Sequence, residues 1–241
     1  IKGSQAYPST FVSDRVFMAL PRFLVPEIAT CDRVDLSPEN ARHAISVLRL
    51  RRGDRLTLFN GCGLEAEAEI VECSKTRVTV VLAVTRLICR ELSSKLELFV
   101  SLPKGDRQKH LVDMLVQLGV HSLTPVVCER SVAKPTVNAV ERLHRVVIES
   151  SKQCGRNQLM AIRPPIALVD LIGEAHSLQG EPLRLFAHPY GSSTDLSSFF
   201  QCASNEPRRP ACAVVGPEGG FSADEVQQLH DSQWCQVHLG N

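Results

Sequence analysis

The chain has 241 residues, 44% hydrophobic and 22% charged, with a formal net charge of +1. These are ordinary values for a soluble globular protein, and the length allows one large domain or two small ones, each with its own core. No apolar run approaches the roughly 20 residues of a membrane span, and no basic start with an apolar stretch marks a secretory signal, so a cytoplasmic protein is expected.

Residues 1–17 are polar and aperiodic. With a natural start at Met18, residues 1–20 read as a leader or extension. From Arg22 to about Ala83 short strand patterns dominate. Segments 55–59, 66–71 and 78–83 are β-rich, and turns such as Asn60-Gly61 separate them. One helix interrupts them. Ser37 is a good N-cap, Pro38 fits the first helical position, and the helix runs toward Leu48. This predicts a small, mostly β domain. Gly61-Cys62-Gly63-Leu64-Glu65-Ala66 matches a loose dinucleotide fingerprint, but that fingerprint needs a helix directly afterwards. The alternation of Ala66, Ala68 and Ile70 predicts a strand, hence a hairpin turn.

Residues 85–94 read as a linker, and then the pattern changes. Leu96, Leu98, Val100 and Leu102 alternate as a strand. Leu111, Leu115 and Leu118 follow at helical spacing, and Gly119 ends that helix. A strand over 123–127 precedes a helix that starts in capping-box fashion at Asn138 and Glu141 and runs through Val147 to Gly155. Strands are predicted over 183–187, 211–215 and 236–239, with Ser222 and Glu225 forming a second capping box. Strands alternating with helices imply a parallel sheet covered on both faces.

In such sheets ligands bind beyond the carboxyl ends of strands. The best candidate is the segment 211–222, where Ala213, Val214 and Val215 run into Gly216-Pro217-Glu218-Gly219-Gly220 and then into a capped helix. The glycines allow a tight turn and close approach of a ligand to the backbone. Charge is also uneven. Residues 95–163 hold 11 Lys and Arg against 6 Asp and Glu, and residues 164–241 hold 3 against 9. Two basic groups stand out. Arg42, His43, Arg49, Arg51, Arg52 and Arg55 surround the first helix, and Lys104, Arg107 and Lys109 surround the end of the strand beginning at Leu96. Both suit phosphate oxygens. Nine cysteines without CxxC spacing and eight histidines without HExxH give no clustered metal-ligand motif, so no metal is expected.

The phrases His43…Val47-Leu48-Arg49…Gly53-Asp54, Lys104-Gly105-Asp106-Arg107, Leu118-Gly119-Val120, Thr124-Pro125, Glu129-Arg130-Ser131, Gln153-Cys154-Gly155-Arg156-Asn157, Arg163-Pro164-Pro165 and Gly216-Pro217-Glu218-Gly219-Gly220-Phe221-Ser222 occur in this order. Together they resemble the RsmE family, the 16S ribosomal RNA uracil-N3 methyltransferases of the SPOUT class, over residues 21–241. The resemblance implies an α/β protein in two parts: a PUA-like RNA-binding β-barrel over 21–92 and a SPOUT methyltransferase domain with a trefoil knot over 93–241. It implies S-adenosyl-L-methionine as cofactor, ribosomal RNA of the small subunit as substrate, and a homodimer with each active site near the subunit interface.

The implied cofactor residues are Phe186, His188 and Gly191 in one loop, Val215, Gly216, Glu218, Gly219 and Gly220 in a second, and Leu239 and Gly240 opening a third. In the family that third loop continues beyond the Leu-Gly pair, so the SPOUT domain is expected to lack its C-terminal segment. Arg22, Arg42, His43, Arg49, Lys104, Arg107 and Lys109 are the expected RNA contacts. Arg130 and Arg156 are the expected catalytic cations, which would stabilise a uracil anion. No general base is identified. Met114 and Gln117 stand where the family usually shows Lys and Glu. The alternative reading is a catalytically inactive RNA-binding or ribosome-assembly factor of the same fold. A nucleotide-dependent enzyme is disfavoured, because there is no P-loop and no well-placed dinucleotide fingerprint.

Overall fold

A computed structural model describes residues 20–29, 32–132, 135–174, 182–189, 194–196 and 209–238. Apart from its last residue, the expected leader lies outside these.

The N-terminal part is built on β1 (Arg22–Leu24), β2 (Arg33–Asp35), α1 (Pro38–Arg42), β3 (Arg55–Phe59), β4 (Leu64–Cys73), β5 (Val78–Leu82) and β6 (Arg86–Leu87). Its strands form one sheet in the order β1-β3-β4-β5-β2, with β6 also paired to β4. The period-2 pattern of β4 decides which side is buried: Ala66, Ala68 and Ile70 face the core, and Glu67 and Glu69 face solvent. Phe23, Leu56, Leu58, Val78 and Val80 complete that core. Helix α1 starts as expected. Ser37 Oγ accepts the Asn40 amide at 3.2 Å, and Pro38 stands in the first turn. The helix then widens, with the Leu48 amide donating to the His43 carbonyl at 3.1 Å, so its second half, His43–Val47, is a π-helical turn. Only Ala41 and Ala44 of this segment are buried, which leaves its polar side to solvent.

Between β3 and β4 the Asn60 side chain accepts the amides of Cys62 at 2.8 Å and Leu64 at 3.0 Å. Gly61 and Gly63 both take positive φ, as a tight hairpin turn requires. The glycine pair is therefore a hairpin and not a dinucleotide site. The expected linker is shorter than its sequence suggests, because β6 pairs with Leu64 and Glu65 of the barrel.

The C-terminal part comprises β7 (Leu96–Val100), α2 (Arg107–Gln117), β8 (Ser122–Val127), α3 (Val137–Cys154), β9 (Ala161–Ile162), β10 (Ile166–Ala167), α4 (Leu168–Glu174), β11 (Leu183–Ala187), β12 (Thr194–Asp195), β13 (Ala211–Val215), α5 (Ala223–Asp231) and β14 (Cys235–His238). Among the described residues all its strand pairs are parallel, in the order β10-β8-β7-β13-β11-β14-β12 with β9 on β8. Helices α2 and α3 cover one face through Leu115, Val116, Leu143 and Val147. Helices α4 and α5 cover the other through Leu171 and Leu229, beside Trp234. Helix α3 is capped by Thr136, whose hydroxyl accepts the Ala139 amide at 3.3 Å, so Asn138 lies inside the helix rather than at its start. The chain crossing that a trefoil knot requires falls outside the described residues. No helix among the described residues is long and apolar enough to cross a membrane.

The two parts meet along a polar seam. The barrel hairpin docks on the segment after α3. The Leu159 amide donates to the Gly61 carbonyl at 2.9 Å, and the Gly63 amide to the Asn157 carbonyl at 3.2 Å. A Cβ at Gly61 would meet the Leu159 side chain at 3.0 Å, so this close approach depends on glycine.

Candidate active site at the carboxyl edge of the parallel sheet

Register places the candidate loops side by side. Val215 stands opposite Val100 on one neighbour and Ala187 on the other, and Ala187 stands opposite Val237. The chain therefore leaves β7, β11, β13 and β14 at one edge of the sheet. Strand β7 lies between β8 and β13, so the connection order reverses here, the usual location of a ligand crevice. Two bonds fasten the exits: the Ser101 amide donates to Val215 at 2.9 Å, and the His188 amide to Val237 at 3.0 Å.

The loop after β13 is a closed turn, with the Gly220 amide donating to the Pro217 carbonyl at 2.8 Å. Its glycines differ in what surrounds them. A Cβ at Gly216 would strike the Phe221 ring at 3.0 Å. One at Gly219 would touch the Arg130 stem at 3.5 Å, while Gly220 has a φ of +69° and faces open space. The Glu218 side chain is exposed. Behind the loop lies an aromatic wall. Phe186 is fully buried, with Phe221 edge-on at 6.1 Å and His230 at 5.2 Å. His188 tilts against Phe221 at 6.2 Å. Burial, and then the neighbouring His230, pull the His188 imidazole below its ordinary range, so it is neutral near pH 7. Gly191, Leu239 and Gly240 lie outside the described residues.

Arg130 reaches the same loop from the turn after β8. Its guanidinium donates to the Gly219 carbonyl at 3.0 Å. That turn is held from two sides. Ser131 Oγ accepts the Cys128 amide and shares a 2.8 Å hydrogen bond with Ser101 Oγ. Glu225 accepts the Glu129 amide at 2.7 Å while its other oxygen caps α5 through the Ser222 amide at 2.9 Å. Ser101, Ser131 and the second role of Glu225 were not predicted from sequence. The Cys128 thiol in this turn is pushed up to about 12, chiefly by burial, which keeps it un-ionised and inert.

Similarity to known proteins agrees with this architecture. The family model for the RNA methyltransferase domain matches residues 90–241, and that for the RNA methyltransferase PUA domain matches residues 36–83. The chain belongs to the RsmE family of RNA methyltransferases. Ribosomal RNA small subunit methyltransferase E of Bacillus subtilis is 26% identical over 94% of this chain and 88% of its own. Its counterpart from Rickettsia conorii is 29% identical over 86% and 81%. The crystal structure of ribosomal RNA small subunit methyltransferase E from Neisseria gonorrhoeae, bound to S-adenosyl methionine, superposes with a TM-score of 0.80 at 27% identity, covering 92% of this chain and 90% of that one.

The other candidates of this RNA methyltransferase divide into three groups. Lys104 follows β7 at the same edge as the glycine loop, and Lys104, Arg107 and Lys109 are exposed. Lys109 also lines a groove of about 600 Å³ between α2 and α3, whose walls mix acids and bases and do not include the glycine loop. Arg42, His43 and Arg49 are exposed on the barrel, with His43 edge-on to Phe23 at 6.2 Å.

Arg22 and Arg156 belong to the seam instead. Arg22 lies over the Phe59 ring at 5.0 Å and donates to Glu65 at 2.7 Å and to Asn157. Arg156 is 5% exposed and grips both oxygens of Glu91 while donating to the Val116 carbonyl at 3.3 Å. It follows α3, which returns the chain to the amino edge of the sheet, where the Ala161 amide meets the His121 carbonyl just before β8. The glycine loop of the same chain is at the opposite edge.

The described residues fit the expected cofactor. Among them the amides of Glu218 and Gly219 have no hydrogen-bond partner, Gly220 opens onto free space, and Phe221 and Phe186 form an apolar wall. Free main-chain donors beside an apolar surface suit a nucleoside with polar edges.

Proposed function

We propose that the protein transfers the methyl group of S-adenosylmethionine to N3 of a uracil in 16S ribosomal RNA. The observation that carries this reading is the docking of Arg130 on the glycine loop. It puts a cation at the carboxyl edge of β13, beside the glycine loop that this reading assigns to the cofactor. S-adenosylmethionine, when bound, supplies an electrophilic methyl group. The residues of this chain that would hold it are Phe186, His188 and Val215–Gly220, with Gly191, Leu239 and Gly240 from the adjoining loops. Glu218 offers an exposed carboxylate to its hydroxyl or amino groups.

The uracil imide would first give up its N3 proton to solvent; its nitrogen would then take the methyl carbon from sulfur, with S-adenosylhomocysteine as the leaving group. Arg130 is the cation assigned to stabilise the resulting negative charge, since Arg156 is committed to Glu91. Lys104 and Arg107, with Arg42, His43 and Arg49 of the barrel, would hold backbone phosphates and set the register of the RNA. Alignment of this kind contributes several kcal/mol to a two-substrate reaction, up to roughly 7–11 in the best cases.

We also read the working form as a cytoplasmic homodimer, in which residues 21–92 bind RNA and residues 93–241 carry catalysis. Leu111, Met114 and Leu118 stand along one side of α2 and its exit, with Met114 and Leu118 exposed, and they offer an apolar contact for a second copy. Isothermal titration of the full-length protein with S-adenosylmethionine, with light scattering on the same sample, tests both parts. Saturable binding and twice the protomer mass are expected. No binding would remove the enzyme reading, and a monomer across the micromolar range would remove the composite site.

A further inference from the structure

We infer that Glu225 is a positioning residue for methyl transfer, because one carboxylate ties the turn that carries Arg130 to the loop that Arg130 must face. The inference rests on the methyltransferase reading above. Its geometry stands on two bonds. One oxygen accepts the Ser222 amide at 2.9 Å and completes the capping box of α5. The other accepts the Glu129 amide at 2.7 Å, from a residue 96 positions away.

Capping alone accounts for the first bond and not the second. A capping box needs a single acceptor at the third helical position. Here the spare oxygen crosses from α5 to the end of β8 and holds the backbone immediately before Arg130. The Arg130 guanidinium then returns to the Gly219 carbonyl at 3.0 Å, closing a ring of contacts from α5 through Glu129 and Arg130 to the glycine loop. The Ser101–Ser131 bond anchors the far side of the same turn to β7. Arg130 is exposed, so nothing in its burial fixes it; its place is set by the backbone that carries it.

Glutamine at 225 keeps the size of the side chain but replaces one acceptor oxygen with an NH₂ donor, which cannot accept either amide. Glu225→Gln should therefore release one of the two backbone groups. Methyl transfer by the full-length protein to small ribosomal subunits is measured for the wild type, Glu225→Gln, Arg130→Ala and the double variant, with folding followed by circular dichroism. A shift of the cation by an ångström predicts a kcat lower by about tenfold to a hundredfold, with the KM for S-adenosylmethionine nearly unchanged. Because Glu225 acts through Arg130, the substitution should add nothing further in the Arg130→Ala background. Glu129→Pro, which removes the donated N–H and leaves Glu225 to cap α5, should reproduce the loss of kcat.

Wild-type kcat in folded Glu225→Gln or Glu129→Pro would overturn the proposal. Losses that multiply in the double variant would do so as well, since Glu225 would then act on its own. If the wild type itself transfers no methyl group, the functional reading fails and this role falls with it, whereas an active wild type with unchanged kcat in the variants overturns the role of Glu225 alone.

Discussion

Arg156 and Glu91, 65 residues apart in the chain, form a two-pronged ion pair with N–O distances of 2.9 and 2.5 Å. The pair fastens the segment between the two domains to the end of α3, beside the contact of Arg90 with the Gly155 carbonyl at 3.2 Å. Arg156 is buried and Glu91 partly so, and removing one partner leaves the other charge unmatched. Arg156→Ala should lower unfolding stability by about 3 kcal/mol or more, seen as a reduced denaturant midpoint, while the KM for S-adenosylmethionine in the protein that remains folded stays near wild type. A stable Arg156→Ala protein that has lost only kcat would return Arg156 to the catalytic centre, by way of a partner subunit.

Arg130 should behave in the opposite way. It is exposed, and its contact with Gly219 is a single hydrogen bond, so Arg130→Ala should change stability little. The same substitution should lower kcat by about a hundredfold, the usual loss when one preorganised charge-stabilising donor is removed. Arg130→Lys, which keeps the charge and loses the planar fork, should fall between. Equal kcat in all three proteins would exclude Arg130 as the stabilising cation.

What the sequence revealed followed the range of the interactions concerned. The hairpin at Asn60, the cap at Ser37 and the Ser222–Glu225 box are built from residues within four positions of one another, and each is found where its pattern predicted. The sheet followed from alternating strand and helix periods. The start of α3 was misplaced because Asn138 and Glu141 imitate a capping pair, while Thr136 makes the actual bond. Arg22 and Arg156 look like free cations in sequence. Their partners, Glu65 and Glu91, lie 43 and 65 positions away, and no local pattern announces such pairs. The second bond of Glu225 was hidden for the same reason.

The glycine loop gives a graded prediction. Gly220 has a φ of +69° with open space beside it. Gly220→Val should therefore strain the backbone by about 1–2 kcal/mol and fill the open space where the proposed cofactor would lie. Gly219→Val should press on the Arg130 stem, and Gly216→Val on the Phe221 ring. Calorimetry should show all three losing S-adenosylmethionine binding, with RNA affinity retained in those that fold. Normal cofactor binding by folded Gly220→Val would move the pocket away from this loop.

The barrel arginines make a separate prediction about salt. Arg42 and Arg49 are exposed, whereas Arg22 is turned inward to Glu65 and Asn157. Neutralising Arg42 and Arg49 should flatten the dependence of log affinity on log salt by about 0.7–0.9 for each phosphate that the protein no longer neutralises. Arg22→Ala should instead lower stability by loosening the seam. An unchanged slope in the Arg42 and Arg49 variants would make that patch ordinary solvated surface.

The most direct test of the central claim is nucleoside mass spectrometry of 16S ribosomal RNA after small ribosomal subunits lacking the modification are incubated with the full-length protein and isotope-labelled S-adenosylmethionine. The account predicts labelled 3-methyluridine with the wild type and its near absence with Arg130→Ala. Unlabelled RNA from a wild-type protein that still binds the subunit would contradict it, and would leave a binding or assembly factor built on a methyltransferase fold.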